Sequence, residues 1–287
     1  MIPVSSRITF LMVEHCKIRM GGSVPVRIDM GTADSNDEAI VREAPIPIDR
    51  LACLMLGPGT SISQDAIKSC ADAGCLVLWT GEAGVRVYSA GQPGGASGAH
   101  ILRQAEILLD PQKRLQAARR LYRRMMGSHP ARGEEPPANR SIEQLRGLEG
   151  VWVRNRYAEL AKLYGVDWQG RSYGNRPGAD QPVNRAISTA TSTLYGIAEA
   201  AILALGYSPA LGIVHSGNER SLVFDMADTV KFRTVVPLAF EMASIHGDDK
   251  DLAGIVRRAC RDLFVKEKLL DLLVDIIQEV MGDDQER

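Results

Sequence analysis

The chain has 287 residues, 45% of them hydrophobic and 24% charged, with a formal net charge of −1 at neutral pH. This length suits one large domain or two ordinary ones, and the balance excludes extensive disorder and a chain that binds nucleic acid through bulk charge alone. The longest apolar stretch, about 197–207, is too short to span a bilayer and carries Glu199. The N-terminus, MIPVSSRITFLMVEHC, has no basic region ahead of a plain apolar run, so no signal peptide and no membrane association are expected, and the expected compartment is the cytoplasm. Cys16, Cys53, Cys70, Cys75 and Cys260 are scattered and include no CxxC pair, which points to reduced thiols rather than a disulfide framework or a zinc knuckle.

Residues 7–13, 17–20 and 24–29 are short β-branched or alternating runs that predict strands, broken at Gly21 and Gly22. Residues 51–56 predict a buried strand that ends at Gly57, Pro58 and Gly59. From 63 to 73 the apolar spacing is helical, with Ser63 as N-cap and Gly74 as stop. Residues 75–80 and 84–89 predict further strands. The Gly/Pro/Ser-rich run 91–98 is the clearest break in composition and reads as a linker.

Beyond it the pattern is helical, at 100–109 and at 111–126, the latter opening on Pro111. Ser141 and Gln144 form a capping-box pattern that opens a helix running to about Tyr164. Residues 184–205, apolar nearly all round, predict a central buried helix. Residues 222–243 and 255–280 supply the remaining helices. The expected fold is therefore α+β in two domains. A β-rich domain (1–92) precedes a linker (93–99), a helical domain (100–281) and an acidic tail (282–287).

Between His100 and Met126 lie seven basic residues (Arg103, Lys113, Arg114, Arg119, Arg120, Arg123 and Arg124) and two acids, Glu106 and Asp110. Arg119, Arg120, Arg123 and Arg124 form a narrow stripe that suits phosphate contacts; a solvated helix face is the plainer alternative.

Glu149 interrupts the apolar stripe Ile142, Leu145, Leu148, Trp152, Val153 and Leu160. A carboxylate there needs a partner, either a salt bridge to Arg146 or Arg156 or a cation. His215 ends an apolar run before a turn, where a structural role and a ligand role are both open. Asp225 and Asp228, three apart, share a helix face and suit either a helix N-terminus or a cation. One imidazole with two or three carboxylates is the donor set of Mg²⁺ or Mn²⁺, which phosphodiester chemistry employs.

At these residues the sequence resembles the CRISPR-associated spacer-acquisition integrases, subtype I-E branch. The matching stretches are LMLGPGTSIS (54–63), WTGEAGVRVYSAGQPGGA (79–96), RSIEQLRGLEG (140–150), YGVDWQGRSY (164–173), ISTATSTLYGIAEAAILALGYSPALGIVHSG (187–217), FDMADTVKF (224–232) and RACRDLF (258–264). The resemblance implies an N-terminal β-sandwich-like domain and an all-α catalytic domain. It implies Mg²⁺ or Mn²⁺ held by Glu149, His215 and Asp228, with Asp225 and Lys231 beside the site. Arg86, Tyr173, Tyr195, Arg257 and Arg261 fall on positions implicated near the active site or the DNA.

The implied reaction is attack by a 3′-hydroxyl of a short duplex with 3′ overhangs on the leader–repeat boundary of a CRISPR array. The implied assembly is a homodimer working with the small second CRISPR-associated protein. Two departures bear on fork recognition: His15 replaces a stacking tyrosine, and the 174–180 loop lacks a tryptophan. A metal-dependent repair nuclease and a catalytically silent DNA-binding scaffold of the same fold are the competing readings.

Overall fold

The alternating and β-branched runs of the first 90 residues form two four-stranded sheets in the computed structural model, which describes residues 8–33, 39–91, 98–127, 140–172, 174 and 176–282. The chain divides into two units, residues 1–98 with 203–206 and residues 99–202 with 207–287.

In the first unit the strands are β1 (Ile8–Val13), β2 (Lys17–Gly21), β3 (Val24–Ala33), β4 (Ala39–Pro45), β5 (Leu51–Leu56), β6 (Ser61–Ile62), β7 (Leu76–Thr80) and β8 (Val87–Ala90). One sheet has the order β1-β5-β7-β8 and the other β4-β3-β2-β6. All six residues of β5 are buried, as its unbroken apolar sequence LACLML requires of a strand covered on both faces.

Between β6 and β7 stands helix α1 (Gln64–Asp72), its N-cap Ser63 accepting the Ala66 N–H at 3.4 Å. Ala66 and Cys70 of this helix join Val13, Ile18, Leu54 and Val77 in one apolar cluster drawn from both sheets. The sandwich expectation thus holds in part. Two sheets share a core, but α1 stands within it, and β1, β5 and β7 run parallel.

Two strands have no clear signal in the sequence. β4 carries charges and ends in Pro45, features of the sheet edge it occupies, and β6 is only two residues long. The strand expected at 84–89 starts later, because Glu82–Gly84 forms a 3₁₀ turn. Gly59 sits at φ +69°, and a Cβ there would lie 2.5 Å from Nδ1 of His15, so only glycine lets the turn close over that side chain.

The second unit holds α2 (Ala99–Leu109), α3 (Pro111–Gly127), α4 (Ile142–Tyr164), α5 (Pro182–Ala204), α6 (Ser221–Asp228), α7 (Val235–His246), α8 (Leu252–Lys266) and α9 (Leu269–Met281). Asp110 caps α3 by accepting the N–H groups of Gln112 and Lys113, with Pro111 at the first helical position. At α4 both hydrogen bonds of the capping box form, and the helix closes on Gly165 in the left-handed region.

Two long apolar patterns each divide into two helices. Residues 229–234 leave the helix between α6 and α7, where Thr229 and Thr234 return their hydroxyls to the carbonyls of Met226 and Val230. Lys268, at φ 46°, separates α8 from α9. The linker segment 92–97, the 128–139 loop and the tail 283–287 lie outside the described residues.

α5 is buried along most of its length, and Asn184 near its start has no exposed surface. Its amide binds the backbone of Ser172, Gly170 and Gly178 and receives Arg171, tying these residues to the start of α5. Asn184→Ala leaves these groups unmatched and is expected to cost about 1–3 kcal/mol, read from urea unfolding.

Candidate active site

The reactive cluster is assembled from α3, α4, α6 and the loop ahead of α6. That loop ends an apolar run at Ile213 and Val214, both buried, and then turns out at His215, whose side chain is 34% exposed. Its shape is set by Asp225, a fully buried carboxylate on α6. Oδ2 accepts the N–H groups of Ile213 (2.5 Å) and Val214 (3.1 Å), while Oδ1 accepts the N–H of His215 (3.0 Å). Oδ1 also takes Nδ1 of the His215 ring at 2.8 Å. A carboxylate on Nδ1 fixes the tautomer and leaves Nε2 as the outward nitrogen.

The loop's carbonyls are gripped from the other side. Arg114 of α3 donates to Ile213 at 2.8 Å, and the buried amide of Gln104 on α2 donates to Ser208 and Leu211. Gly212 is obligatory by close approach. A Cβ there would lie 2.4 Å from the His215 carbonyl oxygen and 2.6 Å from Cβ of Ser221.

Glu149 faces inward from α4, as the apolar stripe implied, although Leu148 of that stripe is 40% exposed. Neither expected arginine pairs with it, and Arg156 pairs with Glu159 instead. Its partner is Tyr122 of α3, whose hydroxyl donates to Oε2 at 3.0 Å. Asp228, the last residue of α6, pairs with Lys231 at 2.6 Å, both side chains being largely buried. Lys231 in turn lies over the ring of Phe232, which packs edge-on against Trp152 and Tyr157 of α4.

Tyr122, Glu149, His215, Asp225 and Asp228 line a single cavity of about 20 Å³. Such a space takes one water or one ion, not a nucleotide. Among the described residues no three His, Cys, Asp or Glu side chains already close on one point as a metal cluster.

The electrostatics reflect this crowding. Burial, then the Asp228 charge, holds the Glu149 carboxyl above the usual range. Burial and the adjacent Glu149 push the Tyr122 hydroxyl well above the tyrosine value. The hydrogen bond to Asp225 raises His215 against the opposing effect of burial. Burial lowers the Lys231 ammonium, but the Asp228 charge and its neighbours outweigh that and raise it overall.

Two alternatives left open by the sequence are overturned here. Asp225 and Asp228 do not cap their own helix: they sit at its middle and end, and Asp225 serves the preceding loop. Nor is the basic stripe of α3 a uniform face. Arg120 donates to the Val280 carbonyl at 2.9 Å, and Arg124 pairs through Nε with Glu279 at 2.6 Å. Arg103 of α2 donates to the carbonyls of Met281 and Gly282, so three of the basic residues hold the C-terminal end of α9. Arg119 reaches the Arg140 carbonyl at 3.4 Å, and Arg123 is exposed.

Tyr195 packs on Phe224 at 5.0 Å, and that ring meets His215 edge-on at 5.8 Å, which places Tyr195 beside the cluster. On α8, Arg257 is half-buried and Arg261 is exposed and paired with Asp262. Arg86, in the first unit, is exposed with its guanidinium over Tyr88. Tyr173 lies outside the described residues. Sequence reasoning missed Tyr122, Gln104 and Arg114 as parts of the site; the one available signal was Tyr122 in the apolar i, i+3, i+4 face of α3 with Ala118, Leu121 and Met125.

The family model for the CRISPR-associated protein Cas1 matches residues 32–129 and 128–246. The chain belongs to the Cas1 family. It is 43% identical over 282 residues to the CRISPR-associated endonuclease Cas1 of Escherichia coli, covering 98% of this chain and 87% of that one. It is 50% identical over 242 residues to the endonuclease Cas1 1 of Rhodospirillum rubrum, covering 82% and 75%. Among solved structures, the TtCas1–DNA complex superposes with a TM-score of 0.80 at 35% identity over 98% of each chain. A casposase bound to integration product shares the fold, with a TM-score of 0.59 at 15% identity over 96% of each chain. No helix among the described residues is long and apolar enough to cross a membrane.

Two outcomes are expected of the site's electrostatics. Because the Glu149 carboxyl is raised in the fold, the linked stability is present below the ordinary carboxylate value and is lost as pH rises through the folded value. In EDTA, Glu149→Gln should therefore melt above the wild type at about pH 8 and no higher at about pH 4. Asp225→Ala strands three N–H donors and the imidazole, and should lower stability by about 3–5 kcal/mol in denaturant titrations.

Proposed function

We propose that this Cas1-family protein joins short DNA duplexes with 3′ overhangs to the leader–repeat boundary of a CRISPR array, and that water can replace the attacking hydroxyl to give nuclease activity. The supporting observation is the ion-sized cavity whose lining includes Glu149, His215 and Asp228, one imidazole and two carboxylates not already committed to the loop's N–H groups as Asp225 is. This donor set suits Mg²⁺ or Mn²⁺, and the like-charge crowding of Glu149 by Asp228 is what a cation relieves. A bound ion would acidify the attacking hydroxyl and offset the negative charge gathering on phosphorus.

The chain's own residues do the rest. Asp225 holds the His215 ring with Nε2 outward, and Tyr122 steadies Glu149. Lys231 supplies a positive charge beside Asp228, where a phosphate oxygen of the DNA can share it. In the transfer a new P–O bond forms to the incoming 3′ oxygen. The target strand's P–O3′ bond breaks, and the departing 3′ oxygen takes up a proton. Arg123, Arg261 and Arg86 are exposed cations of the expected set and are the candidates for phosphate contacts, whereas Arg120 and Arg124 hold the end of α9. The working assembly in this reading is a homodimer with the small second CRISPR-associated protein.

The test is incubation of protein and partner with a forked duplex and a supercoiled leader–repeat plasmid. Half-site products dependent on Mn²⁺ or Mg²⁺ are expected, and Glu149→Ala, His215→Ala and Asp228→Ala should each lower strand transfer and nicking at least about a hundredfold while the fold persists. Full activity in Asp228→Ala would remove that residue from the site. Cleavage without integration would favour a repair nuclease, and no metal-dependent cleavage of any substrate would leave a DNA-binding scaffold.

A further inference from the structure

Tyr122 is 3% exposed and comes from α3, a helix that contributes none of the three candidate ligands. Tyr122 packs in the apolar face of α3 and lines the 20 Å³ cavity, and its hydroxyl bonds Oε2 of Glu149 at 3.0 Å. A buried hydroxyl at this place is costly unless it is matched, and phenylalanine would fill the same apolar volume without that cost.

The carboxylate it binds lies on a helix face between an exposed Leu148 and a half-buried Gly150. Among the described residues the Glu149 carboxylate forms no ion pair, and its hydrogen-bond partner is the Tyr122 hydroxyl. The same helix α3 grips the loop of His215 through Arg114. It therefore reaches two of the three ligand-bearing segments, one by a guanidinium on a carbonyl and one by a phenol on a carboxylate.

We propose that Tyr122 is a positioning residue that holds one oxygen of Glu149 and so aims the carboxylate at the cavity, setting the protein's affinity for a divalent ion. This inference builds on the cation reading given above. Hydrogen bonds that orient a ligand carboxylate typically contribute about 10- to 100-fold in metal affinity.

The experiment titrates Mn²⁺ into the full-length protein without DNA, with free ion followed by electron paramagnetic resonance, for the wild type, Tyr122→Phe and Glu149→Gln. Strand transfer is then measured across Mn²⁺ concentrations. Tyr122→Phe should weaken Mn²⁺ binding about tenfold. Its kcat deficit should vanish at saturating Mn²⁺ with the KM for DNA unchanged, a rescue that a packing role would not show. Tyr122→Leu, which also lacks the hydroxyl, must share the affinity loss, so the result does not hang on one variant.

Wild-type Mn²⁺ affinity in Tyr122→Phe, alongside loss of binding in Glu149→Gln, overturns the positioning role and leaves the cation reading standing. A kcat deficit in Tyr122→Phe that persists at saturating Mn²⁺ also overturns it. Failure of the wild type itself to bind Mn²⁺ overturns the cation reading, and this proposal with it.

Discussion

Asp225 is a carboxylate with no solvent exposure, set in a helix whose other buried residues are Ser221, Leu222, Val223, Met226 and Ala227. An unpaired charge there would cost on the order of 3–5 kcal/mol. It is tolerated because three successive N–H groups and an imidazole converge on its two oxygens. The dependence runs both ways. The loop that carries His215 is in neither helix nor strand, so its N–H groups need an acceptor from elsewhere. Asp225 supplies that acceptor, and its burial makes the bonds strong and the loop rigid.

Around this contact the rest of the site is arranged by division of labour on α3. One face presents Tyr122 to Glu149 and Arg114 to the His215 loop. Another presents Arg120 and Arg124, joined by Arg103 of α2, to the carbonyl end of α9, where cations are favoured by the exposed C=O groups. The helix therefore fixes the C-terminal end of the unit and the ligand-bearing segments together. The site it frames is electrostatically uneasy: Glu149 stands near Asp228, and the Tyr122 hydroxyl, Lys231 and His215 offset the crowding only in part. Active sites commonly hold such crowded charges at some cost to stability, because the same crowding attracts a cation.

Local rules made much of the scaffold legible. Ser141 and Gln144 announced α4, Pro111 announced α3, and Ser63 announced α1, because capping is settled by residues within one helical turn. The inward place of Glu149 was legible too, since a stripe four apart needs no tertiary information. The breaks at 229–234 and at Lys268 were not. Both interrupt apolar patterns that would continue a helix, one where Thr229 and Thr234 turn their hydroxyls to nearby carbonyls and one where Lys268 takes a left-handed conformation. The arginine stripe of α3 shows the same limit: spacing identified a basic face, but the acceptors that take up Arg120 and Arg124 lie about 155–160 residues further along.

Most element types, the change from strands to helices near Gly98 and, through family motifs, the candidate set Glu149, His215 and Asp228 were already written in the sequence. What only the tertiary structure decided was the task of each polar group. Asp225 and Asp228 look alike in sequence, three apart on one helix, yet one is sealed behind His215 and the other faces Lys231 at the cavity. Tyr122 showed in the sequence only as a member of the apolar face of α3. The reason is physical: helix caps and apolar periodicity are short-range, whereas a buried carboxylate takes its role from whichever donors the fold brings within about 3 Å of it.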